Sequence, residues 1–256
     1  MTILTAAPIA IPYPGASELS LQLRLGPCHL RLRATDGPDW VTGSYDDQDS
    51  PLPIAVNVSD GVAIIAQRFD PTLAPIVDLP RLDLAIGRSR PFALVIETGA
   101  SENAFDLGGL PITRFELKAG FGSYDLDFGE PNPVEMESLE LGTGAGVLSV
   151  RHLANANFTQ LHLGGGMTRC TIDFAGELRR DALVRIEAGL ASVEINVPAS
   201  TAMRARSKAF AADISALGAI TRHGDEFSTP PAVTGRNPLL SIELSMAFGQ
   251  VTLRAT

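Results

Sequence analysis

A glycine-cornered unit recurs about every 22 residues through the middle of this chain. With Gly99, Gly120, Gly144, Gly166 and Gly189 taken as position zero, successive spacings are 21, 24, 22 and 23. Five places before each glycine stand Leu94, Phe115, Leu139, Leu161 and Val184, and three before stand Ile96, Leu117, Leu141, Leu163 and Ile186. Six places after stand Phe105, Leu126, Val150, Ile172 and Ile195. All fifteen are apolar, while the positions between them are mostly charged, small or hydroxylated. A strand, a glycine corner and a second strand, repeated in phase, predicts an all-β chain of stacked β-solenoid or β-helix-like repeats. One unit is too short to bury its own apolar face, so neighbouring units must cover one another. Positions −5, −3 and +6, and usually +4 and +8, then form internal ladders that include Phe105, Phe115, Phe128 and Phe174. The glycine lets the chain turn where a Cβ would clash or where φ must be positive.

The pattern reaches beyond its five clearest copies. Around Gly26 the apolar slots hold Leu21, Leu23, Leu30 and Leu32, and around Ser245 they hold Leu240, Ile242, Val251 and Leu253. Around Lys208 they hold Met203, Ala205, Ala212 and Ile214. Residues 203–217 have helical propensity, but the register continues through them and favours a strand. The rhythm breaks in two places. Residues 36–80 contain SYDDQDSP and a hairpin signal, IAVNV and VAIIA flanking Ser59-Asp60-Gly61. Residues 221–238 contain turn residues without an apolar period and read as a loop. The expected organisation is an N-terminal β layer or cap over 1–80 and a regular β stack over 81–256, able to share one core.

Composition limits the partners. Of 256 residues 45% are hydrophobic, and the net charge is −9 with no Lys/Arg cluster, so nucleic acid and anionic membranes are repelled. The opening MTILTAAPIAIPYPG lacks a cationic n-region, and Pro8, Pro12 and Pro14 interrupt its apolar run. No window offers the roughly 20 apolar residues of a bilayer crossing. The expectation is no direct membrane insertion and a cytoplasmic address. Cys28 and Cys170 have no CxxC spacing, and Cys170 falls at the +4 slot with Tyr124, Leu148 and Val193, as a small core residue.

The motifs that could carry chemistry have structural readings. LELGTGAG at 139–146 looks like the glycine loop of an S-adenosylmethionine-dependent methyltransferase, but alternating VLSVRHL follows where that chemistry needs a helix. Gly164-Gly165-Gly166 lacks the Gly-Lys-Ser/Thr of a phosphate cradle. His29, His152, His162 and His223 form no HxH, HExxH or Cys/His group. His152 occupies the otherwise apolar +8 slot, as a hydrogen-bonded core histidine would. No GxSxG occurs. Trp40, with Tyr45, reads as the cover of a core end before a ligand surface. Seven places after each corner come Asp106, Asp127, Arg151, Asp173 and Asn196, an outward mixed-charge ladder in which Arg151 lies between two aspartates. No catalytic, cofactor-binding or metal-ligating residue is assigned.

The segments LELGTGAGVLSV, VRIEAGLASVEINVPAS with the following TAMRARSKAFAADISALG, and the closing SIELSMAFGQVTLRA together resemble the C-terminal toast-rack β domain of the LiaF-like cell-wall-active antibiotic response proteins. The resemblance covers roughly residues 92–256. It implies a stacked β sheet and an envelope-stress connection, and it offers no catalytic motif to transfer. Family members usually carry transmembrane helices ahead of this domain. The expected function is a non-enzymatic β scaffold that binds another protein or itself, most simply as a two-fold dimer. The alternatives are a carbohydrate-active β-solenoid enzyme and the methyltransferase.

Overall fold

The computed structural model of the protein describes residues 7–46, 52–68, 79–208 and 211–256. Residues 1–6 of the opening run, 47–51 of SYDDQDSP and the side chain of Ala212, all read above, lie outside that description. Seven short strands come first: β1 (Ala7–Ile11), β2 (Ser20–Arg24), β3 (His29–Thr35), β4 (Val41–Asp46), β5 (Ile54–Ser59), β6 (Val62–Gln67) and β7 (Arg81–Gly87). β8 (Phe92–Thr98) and β9 (Ser101–Asp106) flank the Gly99 corner. Four strands of 16 residues follow, β10 (Ile112–Asp127), β11 (Met136–Arg151), β12 (Phe158–Asp173) and β13 (Ala182–Val197), each with its corner glycine near the middle. Then come β14 (Ala202–Ser207), β15 (Ala211–Leu217), β16 (Thr221–His223), β17 (Glu226–Ser228), a helical turn α1 (Pro230–Val233) and β18 (Leu239–Ala255). The fold is all-β. The described part of 203–217 is extended, as β14 and β15, with residues 209–210 outside the description, and the stretch expected as a loop at 221–238 contains two short strands and α1.

The long strands run parallel and in register. Phe115 stands beside Leu139, Leu161 and Val184 on successive strands, and Leu117 beside Leu141, Leu163 and Ile186. All fifteen predicted core positions are no more than 2% exposed. Burial also shows how each long strand bends. Before the corner the inward residues are odd (−5, −3), and after it they are even (+4, +6). Side chains alternate strictly along a strand, so this change of parity marks two arms meeting at the glycine. Residues from both arms join one hydrophobic cluster.

Two glycine positions make the corner. At zero, φ is ordinary, and the constraint is contact between rungs: a Cβ on Gly144 would lie 2.8 Å from the Gly120 carbonyl oxygen, and one on Gly166 2.5 Å from that of Gly144. The positive φ falls two residues later, at Gly122 (152°), Gly146 (139°) and Gly249 (128°).

At both ends of the stack, spatial order departs from sequence order. β18 lies between β13 and the pair β14/β15, pairing in parallel with all three, so the last strand is interior and not a cover. β2 likewise sits between β6 and β8. Val184 pairs with Ile242 and Ile195 with Leu253, which places the corner of β18 at Ala247, two residues beyond the expected Ser245. The Lys208 unit moves with it, because Ala205 pairs with Ile242. An even shift leaves every side chain on its expected face. The predicted hairpin is present: β5 and β6 pair antiparallel, with Asp60 (φ 48°) and Gly61 (φ 81°) at the turn.

Three side chains anchor the connections at the far end of the long rungs. Buried Asn132, Asn155 and Asn157 donate to the carbonyls of Ile112, Phe128 and Val134 at 2.8, 2.9 and 2.7 Å. Asn155 also accepts the Glu177 N–H, and Asn157 the Arg180 Nε–H, so each ties one connection to the next. Trp40 is fully buried, stacked on Tyr13 at 6.4 Å and edge-on to Phe92, and Tyr45 is 4% exposed. Both belong to the core.

Candidate interaction surface

The change of parity at the corner has an outward consequence. Position +1 points away from the core at the vertex of the two arms, and in register this column reads Phe121, Ala145, Met167, Leu190 and Phe248 on β10, β11, β12, β13 and β18. Phe121, Met167, Leu190 and Phe248 are 66%, 64%, 52% and 57% exposed. Val147, two residues past Ala145 on the same outer side, is 45% exposed. Rungs stand about 4.8 Å apart, so the ridge runs roughly 20 Å. Most outward positions beside it are polar or small: Ser123, Ser192 and Gln250 on one arm, Lys118 and Glu187 on the other. A contiguous exposed apolar line of this kind is a candidate docking surface.

The ridge is absent from the sequence reading, although its signal was present. The +1 slot reads Ala, Phe, Ala, Met, Leu through the five central copies. Its fourth large member depends on the register of β18. With the corner at Ser245 the slot would hold Met246, which is buried (3%); with the corner at Ala247 it holds Phe248.

Several charged side chains pair across neighbouring rungs. Arg151 sends Nε to Asp127 at 3.2 Å and Nη1 to Asp125 at 3.5 Å. Asp173 instead accepts the backbone N–H of Ala175, so the ladder holds on one side of Arg151 only. His152 departs from the core reading. It adopts φ 53° ahead of a 3-10 turn, leaves the buried slot to Leu153, and bonds Asp127 through Nδ1 at 2.7 Å with its side chain 43% exposed. His29 lies 3.3 Å from the Glu102 carbonyl, His162 is 3.8 Å from Glu187, and His223 sits in β16, so the structure brings no two histidines together. Burial pushes the thiols of Cys28 and Cys170 up to about 12, which leaves both protonated and poor nucleophiles near neutrality. Among the described residues no group of three or more His, Cys, Asp or Glu converges as a metal site, and no helix is long and apolar enough to cross a membrane.

A concavity of about 830 Å³ lies over β3, β7, β9 and β10 and is lined by Arg31, Arg33, Arg88, Asp106, Asp127 and Glu130 among others. It is open to solvent, and Arg88 on its wall is held by Glu130 at 2.9 Å. LELGTGAG forms β11 through its corner, with Gly142 and Thr143 stacked on Gly164 and Gly165. That strand geometry, with no helix after the glycines, overturns the methyltransferase alternative.

Among solved structures, the chain is similar to a candidate cell-adhesion protein from Clostridium sporogenes (12% identity, 98% of this chain and 99% of that chain, TM-score 0.48). It is also similar to a candidate adhesin from Bacteroides fragilis (9% identity, 98% of each chain, TM-score 0.41). A third is a candidate lipid-binding protein from Parabacteroides distasonis (10% identity, 98% and 96%, TM-score 0.37). No curated protein sequence matches. The sequence family described as the N-terminal domain of toast_rack, DUF2154, matches residues 5–150, taking in the short N-terminal strands as well as the first long rungs. With that match spanning more than half its length, this chain belongs to the toast-rack N-terminal domain family.

Proposed function

We propose that this protein is a non-enzymatic β scaffold whose corner ridge docks onto protein. The observation that carries the reading is the in-register exposure of Phe121, Met167, Leu190 and Phe248 on a rigid set of parallel rungs. Burying apolar area is worth about 25 cal/mol per Å², and large side chains fixed on a sheet lose little conformational freedom when covered. Two features favour scaffold over enzyme: the buried cysteines, and arginines that hold Asp125, Asp127 and Glu130 in ion pairs. A photo-crosslinking residue placed at Phe121 or Met167 in cells should give discrete protein adducts, while one at exposed Glu140 on the arm should not. Absence of adducts at every ridge position would sink the proposal.

A further inference from the structure

The stack of parallel rungs has two arms and two ends, which gives four places where a parallel ladder must stop. At three of them the same chain supplies an antiparallel strand: β5 on β6, β4 on β7, and β17 on β14. The fourth is β15, which pairs in parallel with β18 and, among the described residues, with nothing else. Its inward residues Ile214 and Ala216 pack against the core yet remain partly exposed, and Leu217 is 43% exposed. The usual protections of an edge strand are lysine, proline or a bulge. β15 carries none and has one charge, Asp213. By contrast the β1 edge contains Pro8 and the β16 edge is only three residues long, while the uncharged β5 edge is itself the antiparallel strand that closes the ladder of β6.

We infer that β15 pairs antiparallel with β15 of a second copy of this chain, about a two-fold axis through Ile214. The sequence around that residue reads Ala-Asp-Ile-Ser-Ala over 212–216, which is palindromic in size and polarity. An isologous contact requires this symmetry, since residue i meets j while j meets i. In the register centred on Ile214, Ile214 faces its own counterpart and extends the core across the axis. Asp213 lies opposite Ser215 of the second copy, so the single charge never meets itself. The second copy thus ends this ladder as β5, β4 and β17 end the others. The pairing goes beyond the proposed function, gives the expected two-fold dimer a specific seam, and uses a surface separate from the ridge.

The two exposed positions give a charge test that leaves the core untouched. Sedimentation equilibrium of the intact protein should show a species of twice the 27.0 kDa protomer mass. Ser215→Lys alone sets a lysine opposite Asp213 on each side of the axis and should keep or strengthen the dimer. Asp213→Lys combined with Ser215→Lys sets like charges opposite each other twice and should weaken association by about ten-fold or more. Circular dichroism should show both variants folded. A monomeric parent protein would overturn the inference, as would a dimer that the double variant leaves intact. A dimer lost instead on Phe121→Ser with Met167→Ser would move the interface to the ridge, which separates failure here from failure of the ridge reading.

Discussion

Replacing Gly146 by alanine tests the account of the corner more sharply than any other single change. A Cβ built there lies 2.0 Å from the Gly122 carbonyl oxygen and 3.0 Å from its nitrogen, and the backbone holds φ 139°. Contacts of that kind need more than 3 Å, so one rung must retreat from the next by more than about 1 Å. Both rungs are fixed by parallel ladders on either side. Strain at such a φ is worth about 1–3 kcal/mol and overpacking a further 1–3 kcal/mol, so a loss of about 3 kcal/mol is expected. For a chain of this size that lowers the melting temperature by about 6–12 °C. Gly142→Ala, four residues earlier on the same strand, is the control. Its Cβ would meet only the Leu117 carbonyl oxygen at an ordinary 3.6 Å and φ is not positive, so it should be neutral or stabilise by about 0.5 kcal/mol. Urea unfolding followed by far-ultraviolet circular dichroism measures both. Equal stability of the two variants would refute the carbonyl-contact account of the bend.

Gly144→Val should fall between them, because its Cβ meets the Gly120 carbonyl oxygen at 2.8 Å with an unstrained φ; full thermal stability there would contradict the stacked-corner reading. Arg151→Ala should lower stability by about 1 kcal/mol or less, since its pairs are half exposed, and a drop of several kcal/mol in a urea titration would overturn that view. Asn155→Ala should reduce stability by about 2 kcal/mol, because the Phe128 carbonyl and the Glu177 N–H lose buried partners; an unchanged unfolding midpoint would show the staple to be idle. The raised thiols of Cys28 and Cys170 favour the protonated form in the folded state. Their contribution is therefore intact below the ordinary thiol value near 9 and fades as pH rises toward about 12. A stability profile that climbs across that window once tyrosine and lysine titration is matched in a Cys→Ala pair, or fast labelling by a thiol reagent at pH 8, would contradict this.

Which parts of the molecule were legible beforehand follows from what each part depends on. The fifteen core positions and the hairpin at Asp60-Gly61 rest on period-two alternation and turn residues, which are local and written directly in the chain. The register of β18 was missed by two residues because an even slip leaves the inward pattern intact. Only the pairing of Val184 with Ile242 distinguishes the two choices. The place of β18 between β13 and β14 is a non-local pairing that no run of residues announces. His152 was misassigned because its backbone turns left-handed (φ 53°) where the neighbouring rungs place Phe128 and Phe174 inward, turning the imidazole outward and Leu153 in. The ridge is hard to see in the chain because its +1 slot mixes small and large residues, Ala100, Phe121, Ala145, Met167 and Leu190, and Phe248 joins it only through the register of β18. The asparagine staples lie in connections with no period at all.

The interleaved order at the β18 end also governs how the stack opens. In a spool wound in sequence order, the outermost coil is the chain's own tail, and once loosened it drifts away. Here the outermost rung is β14 and β15, while β13 before it and β18 after it stay zipped together by their own ladder of fifteen paired residues. A loosened outer rung is therefore a loop between Val197 and Leu239 held at both ends, and because closure entropy grows only slowly with length, closing it again carries a modest penalty. Fraying at this end is self-healing, so opening and reclosing there should be rapid without loosening the rungs within.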